Sequence, residues 1–252
     1  MSDNPTLGGE VWAKVKAKVW AILPAAGIGS RMAAQLPKQY LLLNDRPVIA
    51  HTLDRLVSCD GIDGVVVGIK EGDPHWPKLD YHHDKVVGIS PGGAHRAQTV
   101  HNAITYLQRH HGAKSSDWIL VHDSVRPCVK PSDIANLIES VMSAEHQSES
   151  GGMLAIRVVD TLKKSNDQGQ AQWTVDRTQY WRAQTPQIFP LGLLQQGLNE
   201  CDRLGQIPTD ESAAMEQIGI YPKLVECDAS NIKITLRADL ILAEFFLRHG
   251  DF

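Results

Sequence analysis

Four cysteines spread over 252 residues leave little material for a covalent or metal-bound scaffold. Cys59, Cys128, Cys201 and Cys227 form no CxxC pair, which argues against a disulfide framework or a cysteine zinc site and for a reducing compartment. Positive charge is not in surplus either. Lys and Arg total 25 against 29 Asp and Glu, a net charge of −4, so bulk attraction to nucleic acid or to an anionic membrane is excluded. An anionic ligand would have to meet cations gathered locally. No apolar run approaches the ~20 residues of a membrane span. The opening MSDNPTLGGE is acidic and lacks the apolar segment of a secretory signal, which points to a soluble, cytoplasmic protein. Two familiar phosphate signatures are also missing. No Gly-Lys-Ser/Thr tail completes a P-loop, and the GxGxxG pattern that begins at Gly27 and Gly29 meets Met32 where its last glycine should stand. Glu71 is a weak candidate for the acidic ribose partner, so a nicotinamide dehydrogenase fits poorly. The pairs His82-His83 and His110-His111 lie in polar stretches and read as solvated surface rather than as metal ligands.

What is present is alternation. VWAIL (19–23), GVVVGI (64–69), KVVGI (85–89), DWILVH (117–122) and GGMLAI (151–156) are short apolar runs suited to buried parallel strands. Between them lie amphipathic stretches with apolar residues at helical spacing: RPVIAHTLDRLVSC, HRAQTVHNAITYLQRHH and PSDIANLIESVMSAEH. This predicts an α/β fold, a doubly wound, mostly parallel sheet flanked by helices, with ligands at the carboxyl ends of its strands. One region breaks the rhythm. AIRVVDTLKK (155–164) and AQWTVDRTQYW (171–181) read as two strands joined by the polar turn SNDQGQ, which is either an ordinary surface hairpin or an arm for a partner subunit. PLGLLQQGLNECDRL, TDESAAMEQIG and RADLILAEFFLRHG predict three further helices, the second with Thr209 as its N-cap and the last with a broad apolar face. No repeat or domain boundary is visible, so residues 1–252 are expected to form one domain, with 1–17 as an N-terminal extension.

The stretch LPAAGIGSRM (23–32) follows the first strand and is nearly bare of side chains. Bare backbone lets N–H groups approach an anion closely, so this turn is a candidate phosphate cradle. Arg31 follows it directly. Lys38, read as an exposed loop cation, sits one short loop later behind the stiffening Pro37.

The pattern AAGIGSRM…PKQYL resembles the signature of nucleotidyltransferases with a Rossmann-like fold. More closely, it resembles that of the 2-C-methyl-D-erythritol 4-phosphate cytidylyltransferases. The resemblance runs from about Val19 to Phe246 and includes GGAHRAQTV (92–100), VHDSVRPCV (121–129), VVDTLK, TVDRTQYWRAQTPQ, TDESAAMEQIG and DASNIKIT, in the family's order. Departures are small. Ala94 stands where many relatives carry an acidic residue, Thr99 replaces a common serine, and Ser124-Val125 replaces a pair of alanines.

The resemblance implies transfer of a cytidylyl group from CTP to a polyol phosphate. It assigns catalytic roles to Arg31, Lys38, Arg177 and Lys233, the last two positioning the attacking phosphate. Nucleotide contacts fall to Pro24, Ala25, Ala26, Gly27, Gly29, Gly92, Gly93 and Thr99. Substrate contacts fall to Asp123, Arg126, Thr161, Thr185 and Thr209. It further implies Mg²⁺ or another divalent cation, held mainly by the phosphates with Asp123 as a possible ligand, and a homodimer formed through an arm at about 157–182. A phosphate monoester is already an anion of about −1.5 to −2 near neutrality, so no general base is needed. His122 beside Asp123 is accordingly read as a packed, hydrogen-bonded ring. The alternatives are a ribitol-5-phosphate cytidylyltransferase, a sugar-1-phosphate nucleotidyltransferase, and a non-catalytic nucleotide-binding protein of the same fold.

Overall fold

The computed structural model describes residues 17–27, 36–142 and 150–250. β1 (Val19–Pro24) lies inside a seven-stranded sheet. A two-residue pair, β2 (Leu42–Leu43) and β3 (Arg46–Pro47), precedes α1 (Val48–Val57). β4 (Gly64–Ile69) pairs with β1 and β5 (Val86–Pro91) pairs with β4, all parallel. After α2 (Arg96–His111) the chain crosses back to the other side of β1, where β6 (Trp118–Val121) also runs parallel. α3 (Pro131–Met142) and β7 (Gly152–Arg157) follow. A hairpin of β8 (Leu162–Ser165) and β9 (Ala171–Val175) leads into β10 (Trp181–Pro190), which inserts antiparallel between β6 and β7. α4 (Leu191–Arg203) and α5 (Glu211–Glu216) precede the parallel edge strand β11 (Lys223–Glu226), and α6 (Arg237–His249) ends the described chain. The doubly wound, mostly parallel, Rossmann-like architecture is therefore observed.

The reason is visible along β1. Successive side chains of a strand point to opposite faces. Val19, Ala21 and Leu23 pack with Leu53 and Leu56 of α1 and Leu137 of α3, while Trp20 and Ile22 pack with Ile104 and Leu107 of α2 and Leu198 of α4. Both faces are covered by helices, so the strand must be apolar throughout. The chain leaves β1 toward β4 and β5, then returns to β6 on the opposite side. That reversal opens a crevice at the carboxyl ends of β1 and β6, where open α/β sheets bind ligands.

Some local expectations change. The two arm strands expected over 155–164 and 171–181 are not continuous. Residues 158–161 separate β7 from β8, and 176–180 separate β9 from β10. Asp176 is one cause, because its carboxylate accepts from Thr178 N and caps a 3₁₀ turn at Arg177–Gln179, diverting the backbone from the ladder. Thr209 is not the cap of α5. Asp210 is, accepting from Ala213 N at 2.9 Å, since a carboxylate one position later aims directly at the free amide. The last helix does carry a broad apolar face, of which Ile241, Leu242 and Phe245 remain exposed. The four cysteines are free. Among the described residues, no helix is long and apolar enough to cross a membrane.

The end of the sheet opposite the crevice is tied by one buried carboxylate. Asp117 accepts from Lys18 N at 3.1 Å, Lys114 N at 3.0 Å and the Trp20 indole N–H at 3.2 Å, and so aligns β1 with β6. Asp117→Ala leaves that buried indole donor and two backbone amides without acceptors. We expect a loss of about 2–4 kcal/mol in urea denaturation. A loss below about 0.5 kcal/mol, the range of an ordinary surface substitution, would show that the tie is dispensable.

Candidate active site

Beyond Pro24 the backbone is anchored before it turns. Ala25 N donates to Gly68 O at 2.7 Å, and Gln39 Nε2 donates to Ala25 O at 2.7 Å and to Gly27 O at 3.2 Å. The loop after β5 lies against this turn. A Cβ on Gly92 would fall 2.3 Å from the Cβ of Ala26, so only glycine allows the two loops to meet. Gly93 N donates to Thr99 Oγ1 at 3.0 Å, which places the first turn of α2 beside the same opening. His95 caps that helix, its Nδ1 accepting from Gln98 N. A helix N-terminus and two bare loops thus converge on a cleft of about 600 Å³, a size suited to a nucleotide.

The charged wall of the cleft centres on Asp123, at the end of β6. Its carboxylate is buried, with Arg96 Nε at 3.1 Å from Oδ1, and with Lys233 Nζ at 3.0 Å and Arg126 Nε at 3.3 Å from Oδ2. Burial alone would raise its pKa. The charges of Arg96, Lys233 and Arg126 outweigh that effect and hold it well below the usual carboxylate range. Arg96 also donates through Nη1 to Glu211 Oε1 at 2.6 Å. Burial raises the Glu211 pKa, against the opposing pull of Arg96.

Beneath Asp123 runs a hydrogen-bonded chain. Asp123 N donates to Thr185 Oγ1 at 3.0 Å, Thr185 Oγ1 is 3.0 Å from His122 Nδ1, and His122 Nε2 is 3.1 Å from Arg126 O. A carbonyl can only accept, so Nε2 carries the proton and the threonine hydroxyl donates to Nδ1. The ring is fully buried and neutral, its pKa pushed down to about 4 by burial. His122 is the packed, hydrogen-bonded ring expected.

Pro24, Ala26, Gly27, Lys38, Gly93 and Thr99 line the cleft, as do Asp123 and Lys233. Ala25, Gly92, Arg126 and Thr185 sit immediately behind that lining, in the contacts described above. Thr161, Arg177 and Thr209 do not line it and are exposed. Arg177 Nη1 donates to Val159 O within the arm. Gly29 and Arg31 lie outside the described residues. Lys38 is not the exposed loop cation expected. It is buried, and its ammonium donates to Thr235 O at 2.8 Å, because the segment before α6, Lys233 to Thr235, lines the same cleft. Sequence reading missed Arg96, Glu211 and Gln39. One signal was available for Arg96: a cation in the first turn of a helix opposes the helix dipole and needs a local reason. Glu211 and Gln39 carried none.

A bare loop at the end of β1, a helix N-terminus and a cluster of cations at the switch point of a doubly wound sheet define a nucleotidyltransferase of the Rossmann-like class. Comparison with known proteins is more specific. Residues 19–249 match the family model described as 2-C-methyl-D-erythritol 4-phosphate cytidylyltransferase, and the chain belongs to that family. It is 44% identical over 232 residues to the protein of that name from Hahella chejuensis, covering 92% of this chain and 93% of that one. The crystal structure of a 4-diphosphocytidyl-2C-methyl-D-erythritol synthase superimposes with a TM-score of 0.78 at 34% identity, covering 92% of this chain and all of that one. The Francisella tularensis enzyme of the family superimposes at 0.74 with 35% identity, covering 91% of this chain and 99% of that one.

The neutral His122 makes stability depend on pH. Its pKa is about 4 when folded and about 6.5 when unfolded. Between those values the unfolded chain binds a proton that the fold refuses. Stability therefore falls as pH drops from about 6.5 to about 4, by up to about 3 kcal/mol. Glu211, with its raised pKa, opposes this trend, so the comparison must be of slopes. Urea melts of wild type and His122→Gln across this range should show a steeper acid loss in wild type, and parallel curves would remove His122 as the source.

Proposed function

We propose that this chain transfers the cytidylyl group of CTP to 2-C-methyl-D-erythritol 4-phosphate, giving 4-diphosphocytidyl-2-C-methyl-D-erythritol and pyrophosphate in the non-mevalonate route to isoprenoids. The observation that carries the reading is the cation cluster around Asp123, set in a nucleotide-sized cleft of a chain belonging to this family. The substrate phosphate is already anionic and requires no base. The neutral, internally bonded His122 is consistent with that. The barrier lies in bringing two anions together and in neutralising charge on the α-phosphate as pyrophosphate leaves. Lys38 and Arg31 serve the second task, Lys38 as a compact point charge and Arg31 as a fork across two oxygens. Lys233 and Arg177 hold the attacking phosphate. Arg126 and Asp123 fix Lys233, and Thr161, Thr185 and Thr209 complete the polyol side. Thr185 does so from below, since its hydroxyl is committed to Asp123 N and His122.

Among the described residues no group of three or more His, Cys, Asp or Glu could hold a metal ion. Both Asp123 oxygens already face cations. An ion brought in by the triphosphate would take its oxygen ligands mainly from the phosphates, and Asp123 would be its protein ligand only by giving up one of those cations. A bound Mg²⁺ would add positive charge to the phosphates, and excess EDTA should then stop turnover. We further read the chain as one catalytic domain acting in the cytoplasm and working as a homodimer through the 157–182 arm. Supporting the dimer, Val159 and Trp173 on the arm are exposed, and Arg177 and Thr161 lie outside the cleft of their own chain.

The test of function is pyrophosphate release with each of the four NTPs and either 2-C-methyl-D-erythritol 4-phosphate or ribitol 5-phosphate. Turnover should be confined to CTP with the former. A methyl group is discriminated by only ~1–3 kcal/mol, so the two substrates must be run side by side. In the same assay Lys38→Met, which keeps the buried stem and removes the charge, should lower kcat by about 100-fold or more. A rate within a few-fold of wild type would remove Lys38 from the mechanism.

If the arm crosses a two-fold axis, each site joins the core of one subunit to Arg177 of the other. Lys38→Met and Arg177→Ala homodimers should both be inactive. In a mixed dimer one site carries both defects while the other is intact. Co-refolding equal amounts makes about half the dimers mixed, so roughly a quarter of wild-type activity should return. No recovery despite verified mixed dimers would place Arg177 within its own subunit's chemistry, and an active Arg177→Ala homodimer would place it outside the reaction.

A further inference from the structure

Glu211 is the charged residue at this site for which the transfer reaction has no evident use. Its side chain is 1% exposed, and among the described residues its one ion-pair partner is Arg96. It stands in the first turn of α5, whose start is fastened to β10: Ser212 N donates to Gln187 Oε1 at 2.8 Å, and Gln187 Nε2 donates to the capping Asp210 at 2.9 Å. Arg96 stands in the first turn of α2 and lines the cleft. The guanidinium therefore bridges two fixed helix starts, with Glu211 on one side and Asp123 on the other.

The form of this bridge is informative. An arginine placed only to join two helices would engage Glu211 through both nitrogens of its fork, which is the strongest geometry available. Here a single bond forms, from Nη1 to Oε1, while Nε turns to Asp123 Oδ1. Among the described residues, Arg96 Nη2 and Glu211 Oε2 are buried and find no hydrogen-bond partner. Unpaired buried polar atoms cost stability, so the bridge has not been optimised for holding the fold together. What it achieves is a division of the Asp123 carboxylate. Arg96 takes Oδ1, and Oδ2 is left for Lys233 and Arg126.

We propose that Glu211 and Arg96 are a positioning pair. Glu211 restrains the Arg96 guanidinium so that it occupies only Oδ1 of Asp123, and this keeps Oδ2 available to orient the Lys233 ammonium toward the attacking phosphate. Without the Glu211 charge, Arg96 is free to fork across both Asp123 oxygens and displace Lys233. Neither residue touches the reacting atoms in this scheme. The inference rests on the transferase reading above, which places Lys233 at the attacking phosphate.

Glu211→Gln keeps the size of the side chain and the oxygen facing Nη1 while removing the charge. In the pyrophosphate assay with the full chain, we expect kcat/KM for the polyol phosphate to fall by about 10-fold or more, as misplacement of a positioning group does. KM for CTP should stay within about two-fold, and thermal melting should be nearly unchanged, because no contact to the nucleotide loops is altered. Arg96→Gln provides the second arm. If Glu211 acts only through Arg96, the double variant Arg96→Gln/Glu211→Gln is no slower than Arg96→Gln alone. Unchanged polyol-phosphate kinetics in Glu211→Gln would overturn the proposal. So would losses that multiply in the double variant, or a parallel rise of both KM values with a lowered melting temperature. If Glu211→Gln does not fold, the bridge is structural and the proposal fails. A wild-type chain that releases no pyrophosphate from CTP and either polyol phosphate would instead overturn the functional reading itself.

Discussion

Burying the Asp123 carboxylate at the mouth of the sheet is the constraint on which the rest of the site depends. A carboxylate taken out of water survives as a charge only if cations and hydrogen-bond donors replace its hydration. Here the cations come from three stretches of chain, two of them remote: Arg96 at the start of α2, Arg126 in the loop just after Asp123, and Lys233 in the segment before α6. Each must arrive in register for the charge to be tolerated. Arg126 Nη1 is held in turn by Asn231 O at 2.7 Å, and Asn231 Nδ2 by Thr185 O at 2.8 Å, so the C-terminal segment closes on the site through backbone as well as charge. The same arrangement that satisfies Asp123 leaves three cations facing two carboxylates. That local positive excess is what an otherwise acidic protein needs to receive phosphates.

The nucleotide side is built by a different physics. It is made almost entirely of backbone, brought close by small residues and fixed by side-chain amides and hydroxyls that point inward. Gln39 holds Ala25 and Gly27 by their carbonyls, Thr99 takes the amide of Gly93, and Gly92 leaves room for Ala26. The polar side chains here shape loops and are saturated in doing so. This wall offers amide groups and the N-terminus of α2, a fixed set of donors with little reorganisation cost. Charge is concentrated on one wall of the cleft and backbone on the other.

Membership of the family explains why such widely spaced pieces occur together, and the structure shows what each piece does locally. The arm stands outside this economy. Val159 and Trp173 are exposed, while the core pairs its apolar residues on both faces of every central strand. The hairpin leaves apolar side chains uncovered, and its Arg177 is held by a carbonyl of the arm itself.

Much of the fold was legible because it depends on patterns local to each segment. Apolar runs of strand length alternating with helical periodicity require a doubly wound sheet, since parallel strands must be covered on both faces. The packed, hydrogen-bonded ring of His122 was legible from its place at a strand end. The breaks in the arm strands, the passing of the α5 cap from Thr209 to Asp210, and the burial of Lys38 were not legible. Each depends on a competition that periodicity does not record: an Asp176 side chain against a ladder amide, one carboxylate against one hydroxyl, a distant backbone carbonyl against water for the Lys38 ammonium. Arg96 and Glu211 lie at the far limit of this division. They are 115 residues apart in the chain and 2.6 Å apart in space. By itself the sequence determined which segments become strands and which helices, which faces are buried and what class of reaction the motifs serve. Only the tertiary structure decided which charges share a carboxylate, because ion pairing in a buried site depends on distances between segments that no local pattern encodes.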